Sequence, residues 1–174
     1  MIGYNRFGEA VAARCGVVEE ITQSIYDHVK IDPKNTDHVH FFQKPIGFDG
    51  KTVLDTSMYL AHQLPPSQGF EIKGVGLSGG MSEEVADCLN RSTFELIIGS
   101  KLYLRIAPAT GLFVASLAAY RCCFPIKPAL GIMGEQDFSA ELISNPGRSK
   151  SSREKGELVR IGCYLTGTLY RPVQ

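Results

Sequence analysis

The spacing of apolar positions along the chain changes near residue 37. Between Cys15 and Lys30 they fall at Val17, Val18, Ile21, Ile25 and Val29, with Glu19, Glu20, Gln23 and Asp27 between them. That spacing follows one face of a 3.6-residue period and predicts a helix of about four turns, closed by Asp32-Pro33. Residues 32–37 read as a linker. Residues 1–37 are therefore expected to form an N-terminal helical arm. A stripe held only through a linker adds little to the main core, so Val17, Val18, Ile21, Ile25 and Val29 are expected to be an assembly interface.

After Asp37 the period falls to 2. Val39 and Phe41, Phe70 and Ile72, Phe94 to Ile98, Leu102 to Ile106 and Phe138 to Leu142 each alternate with more polar neighbours. Gly99-Ser100 separates two of these runs, a pair suited to a two-residue type II′ hairpin. A long strand is expected over Glu157–Tyr170, where Gly162 and Gly167 suggest bulges or bends. Ser82–Asn90 predicts one short internal helix. Strands apolar on one face only are antiparallel strands, since central parallel strands read as continuously apolar. The expected fold is all-β: a single jelly-roll β-barrel or sandwich over residues 38–174, preceded by the helical arm.

Composition narrows the function. Apolar residues make up 44% of the chain and charged residues 21%, which places it among folded globular domains and excludes bulk disorder. Eighteen Lys and Arg balance eighteen Asp and Glu, so the basic excess of a protein that neutralises nucleic acid is missing. No sequence-specific nucleic-acid binding is expected. A net charge of zero also lowers self-repulsion and favours association. The five cysteines, at 15, 88, 122, 123 and 163, match no zinc-ribbon spacing and read as reduced thiols, most of them buried. The longest apolar run, Leu112–Tyr120, is nine residues and too short for a membrane span. The first residues carry no apolar signal core, so synthesis in a cytoplasm is expected.

Four features carry candidate chemistry. Gly74-Val75-Gly76-Leu77-Ser78-Gly79 is a literal G-x-G-x-x-G, the pattern that lets backbone approach a pyrophosphate. Its strand carries Glu71 and Lys73, and the helix after it begins with Glu83 and Glu84, which would repel phosphate. A glycine-rich turn or bulge is expected instead, and Glu95 is not placed as a ribose-binding acid. His38-Val39-His40 sets two imidazoles on one strand face, as in metal-binding cupins, but Phe41, Phe42, Gln43 and Lys44 follow with no carboxylate. No metal and no cofactor are expected. Asp55 and His62 have no marked nucleophile beside them, and Glu19-Glu20 and Glu83-Glu84 read as solvated helix faces. Arg148, Lys150, Arg153 and Lys155 read as a solvated loop tip. No catalytic residue is assigned. The alternative is a nucleotide-binding or cupin-like metal-dependent enzyme.

Four stretches together resemble the jelly-roll coat proteins of tailless icosahedral bacteriophages. They are Phe41-Phe42-Gln43-Lys44-Pro45-Ile46-Gly47, the segment from Gly50 to Phe70, Leu96 to Leu104 around Gly99-Ser100, and the terminal Gly167 to Gln174. The resemblance covers roughly residues 41–174. It implies a structural capsid protein that self-assembles into capsomers of an icosahedral shell and is localised in the virion. The implied partners are other copies of itself, other capsid proteins (a penton, minor or second coat protein) and an internal membrane. Many members carry two jelly rolls per chain, whereas this chain has room for one.

Overall fold

The computed structural model describes residues 6–80, 82–113, 124–144 and 157–173. Helix α1 (Arg6–Cys15) leads into strands β1 (Val18–Ile31), β2 (His38–Phe41) and β3 (Gly69–Gly79). Helix α2 (Glu83–Asn90) precedes β4 (Ser92–Ile98), β5 (Lys101–Ile106), β6 (Phe124–Met133), β7 (Phe138–Ser144) and β8 (Val159–Pro172). The strands form two antiparallel four-stranded sheets, ordered β1-β8-β3-β6 and β2-β7-β4-β5. The pairing is nested: β1 pairs with β8, β2 with β7, β3 with β6 and β4 with β5. The β3–β8 and β4–β7 ladders complete each sheet.

Alternation builds the core. Ile25, Phe70, Ile72, Leu77, Ile161 and Leu165 from the first sheet meet Val39, Phe41, Phe94, Leu96, Phe138 and Leu142 from the second in one buried cluster. The β4–β5 hairpin turns at Gly99, whose φ of 60° is the left-handed value that such a turn requires. Helix α2 starts where expected: the Ser82 hydroxyl accepts from the Val85 N–H at 3.3 Å, and Val85, Cys88 and Leu89 face inward.

The helix expected over Cys15–Lys30 is corrected. Residues 18–31 form the long edge strand β1, in register with β8 from Val18↔Pro172 to Ile31↔Val159. Ile21, Ile25 and Val29 lie four apart, a spacing compatible with a strand face as well as a helix face, and all three pack on the main core. Among the described residues the only helix ahead of β1 is α1. It covers the outer face of the first sheet, where Val11, Val18 and Tyr170 form a satellite cluster and Phe7 meets Tyr170 edge-on at 5.7 Å.

Two further expectations change. The glycines at 74–79 lie inside β3, so of the expected turn or bulge it is the bulge that is found, at the start of the motif. The irregularity is a bulge at Lys73, between Ile72 and Gly74. Across from it stands Gly167, where a Cβ would fall 1.8 Å from the Glu71 carbonyl oxygen. Gly167 therefore permits a bulge in its neighbour and is not itself the bulge. Strand β6 has no strand signal in the sequence, because Pro125 and Pro128 interrupt it. As an edge strand it tolerates prolines that a central strand would not.

Candidate functional site

Among the described residues two places gather polar side chains. The first is a cleft of about 460 Å³ between β1 and the segment that follows β2. At its base Asp27 is fully buried, and its Oδ2 accepts the Phe42 N–H at 2.8 Å. Its other oxygen accepts from the Lys51 ammonium, forming a largely buried ion pair. Phe42 has a φ of 66°, so Asp27 anchors the chain where it leaves β2 in a left-handed turn. Asp27 also bridges to Thr56, and the His28 N–H donates to the Asp55 carbonyl at 2.7 Å. The loop is thus laid along the outer edge of β1, which shields an edge that would otherwise pair with another chain.

His28 lies on the outer face of β1, half-buried against Tyr26 and Tyr164. Its Nδ1 is 3.2 Å from the Asp55 carbonyl oxygen and its Nε2 is 2.8 Å from the Tyr164 hydroxyl. A carbonyl only accepts, so Nδ1 carries the proton and Nε2 accepts from Tyr164. Burial lowers the His28 pKa, with Arg160 acting in the same direction; together they outweigh the Asp55 carbonyl bond and the Asp27 and Asp55 charges. The Asp55 carboxyl is held below its ordinary value by hydrogen bonds from the Thr52 N–H and hydroxyl, helped by Arg160 at 3.0 Å. Lys44 pairs with Asp49, Lys51 with Asp27 and Arg160 with Asp55. These matched charges make the cleft a clasp for the loop.

The second place is the outer face of the second sheet. Val39 and Phe41 fill the core, so His38 and His40 project to the other side of β2. Residues in direct register across all four strands bring His40, Glu141, Glu95 and Arg105 into one row. His38 Nε2 donates to Glu141 Oε2 at 2.8 Å, and His40 Nδ1 is 3.4 Å from Oε1. The two imidazole centroids are 3.9 Å apart. The Ser139 hydroxyl donates to Glu141 Oε1 at 3.0 Å, and Arg105 holds Glu95 at 2.8 Å. Burial pushes the Glu141 carboxyl up, but the bonds from His38 and Ser139 and the adjacent His40 bring it below its ordinary value. The carboxylate absent from the residues after His40 is thus supplied by β7. Only the strand register reveals it.

The other singled-out residues are dispersed. The Gly74–Gly79 backbone is paired with β8 throughout, and Glu95 lies in the opposite sheet. Asp55 faces Thr52 and Arg160, while His62 makes backbone bonds to Phe42 and Phe138. Glu19 pairs with Arg171, and Glu84 with Lys34. Of the expected interface, Val18 and Ile25 are buried within this chain, Ile21 and Val29 half-buried, and Val17 is 74% exposed. Cys88 and Cys163 are buried and Cys15 half-buried. Cys122, Cys123, most of Leu112–Tyr120 and the basic residues 148–155 lie outside the described residues. Among the described residues no helix is long and apolar enough to cross a membrane. Neither the family models nor the curated proteins include a match to this sequence.

Proposed function

We propose that this chain is a non-enzymatic coat subunit of a tailless icosahedral bacteriophage, working in the virion by assembly with copies of itself and with other capsid proteins. The observation that carries the reading is the nested pairing 1–8, 2–7, 3–6 and 4–5, folded into two facing sheets. A long antiparallel hairpin rolled up in this way is a jelly roll, an eight-stranded architecture that viral capsid domains share with lectins and cupins. The four stretches that resemble phage coats favour the capsid use of that architecture. They fall on the loop between β2 and β3, on the β4–β5 hairpin and on the end of β8.

Surface chemistry supports the same reading. Between β2 and β3, Phe48, Val53, Leu54, Tyr59 and Leu60 are all exposed. Large apolar side chains concentrated in one exposed loop suit subunit contacts. The rival nucleotide-binding reading draws no support from Gly74–Gly79, whose backbone groups are committed to a sheet rather than to a phosphate-cradling loop.

The test is the assembly state of the purified chain, by light scattering and negative-stain microscopy. Rings or closed particles of many copies are expected. A chain that stays monomeric up to millimolar concentration, at low and high salt, overturns the proposal.

A further inference from the structure

We propose that His38, His40 and Glu141 form a binding site for one divalent transition-metal ion of the zinc class, on the outer face of the second sheet. The inference is independent of the coat reading, since it rests on three side chains within one subunit.

The donor set comes first. Two imidazoles and one carboxylate are the ligands that zinc-type ions take from proteins, and such three-ligand sites keep further positions open. Magnesium and calcium prefer oxygen donors throughout, so two nitrogens select against them. Geometry agrees with chemistry. The three donor atoms all lie within 4.8 Å of one another, with Nε2 to Oε2 at 2.8 Å and Nδ1 to Oε1 at 3.4 Å. Ligands held at about 2.0–2.1 Å around a tetrahedral ion sit roughly 3.3 Å apart. The two imidazole-to-carboxylate distances already bracket that spacing, and all three donors lie within 4.8 Å before any ion draws them together.

Rigidity favours the site as well. His38 and His40 stand two residues apart on β2, and Glu141 is the direct cross-strand partner of His40, so the sheet fixes all three Cα positions. Ser139, two residues before Glu141 on the same face of β7, orients the carboxylate, as outer-shell hydrogen bonds do for metal ligands. Glu95, buried in the same row, adds negative potential tempered by Arg105. His38 and His40 are about two-fifths exposed, so an ion can enter and its open positions face solvent.

The test is calorimetric titration of Zn²⁺ into the full chain after chelation and dialysis, with Co²⁺ as a spectroscopic substitute. One ion per chain is expected, with a visible Co²⁺ absorption band that Zn²⁺ abolishes and Mg²⁺ does not. His38→Ala, His40→Ala and Glu141→Gln should each weaken binding at least tenfold, with the metal-free circular dichroism unchanged. Should a variant fail to fold, the imidazole ¹⁵N shifts of the unaltered chain decide: His38 Nε2 and His40 Nδ1 must move on adding Zn²⁺. The proposal is overturned by no stoichiometric binding up to millimolar Zn²⁺, by unmoved imidazole shifts, or by binding that survives His38→Ala with His40→Ala, which would place the metal elsewhere.

Discussion

Gly162 stands directly opposite His28 across the β1–β8 ladder, and a Cβ there would lie 2.5 Å from the imidazole Cδ2. The missing side chain is what lets the ring pass close over Gly162 and reach Tyr164. Gly162→Ala should therefore push the ring off its two hydrogen bonds and destabilise the chain by about 1–3 kcal/mol, the range for overpacking. His28→Ala vacates the contested space, so Gly162→Ala should cost much less in that background. Urea denaturation of the four proteins of this double-mutant cycle measures the coupling. Equal costs in both backgrounds would show that the two residues do not compete.

The His28 imidazole also sets a pH dependence. Its folded pKa lies below the ordinary 6.5, so the unfolded chain binds the proton more readily. Stability from this group is then complete above pH 6.5 and is lost as pH falls through the depressed folded value. Protonating Nε2 also removes the acceptor for Tyr164. Asp55, Asp49 and Glu141 are lowered too, from ordinary values of 3.8, 3.8 and 4.5, so their losses fall in a more acidic window. Denaturation at pH 7.5, 6.5 and 5.5 should show falling stability, and His28→Gln should flatten that slope. An unchanged slope in the variant would remove His28 from the account.

Asp27 and Lys51 make a different kind of contact, because both are shielded from water. Removing one member of a buried pair strands the other charge, at about 3–5 kcal/mol. Asp27→Ala also leaves the Phe42 N–H without its acceptor. We expect Asp27→Ala to lower the melting temperature strongly and to release the segment from Gln43 to Thr56 to limited proteolysis. Lys44→Ala, at an exposed ion pair, should change stability by less than about 1 kcal/mol. Similar melting temperatures for the two variants would contradict the clasp.

Much of this architecture is readable from local pattern. The β4–β5 hairpin follows from alternation on both sides of a glycine that can take positive φ, and α2 from Ser82 ahead of an apolar stripe. The β1 segment carries a helix-like pattern for a physical reason. Ile21, Ile25 and Val29 suit both periods, and the inward position between Ile25 and Val29 is taken by a charged residue, Asp27, which breaks the alternation. Val18 misleads further, since it is buried by α1 on the outer face rather than by the sandwich core. The His38–His40 pair was visible but its carboxylate was not. Glu141 is 101 residues from His40 in sequence and meets it only through the β2–β7 register, which no local period encodes.

That correction alters what the first residues do. Had residues 15–30 been a loosely tethered helix, removing them would spare the sandwich and abolish only assembly. Strand β1, residues 18–31, instead contributes Ile25 and Ile31 to the core and pairs along the whole of β8. Ile25→Asp buries an unpaired charge, and we expect a loss of about 4 kcal/mol or more, which is most of the stability of a domain at the low end of the ordinary range of about 5–15 kcal/mol. Val17 differs, being exposed and ahead of the strand. Val17→Asp should leave the melting temperature within about 2 °C of the unaltered chain, since exposed substitutions rarely exceed ±0.5 kcal/mol. If residues near the start of the chain do hold neighbouring subunits together, Val17→Asp will weaken assembly without weakening the fold, whereas Ile25→Asp removes both. Thermal melts and particle sizing on the two variants separate the roles. An Ile25→Asp chain that melts cooperatively at the normal temperature would mean that β1 is dispensable to the sandwich and that the stripe acts only between subunits.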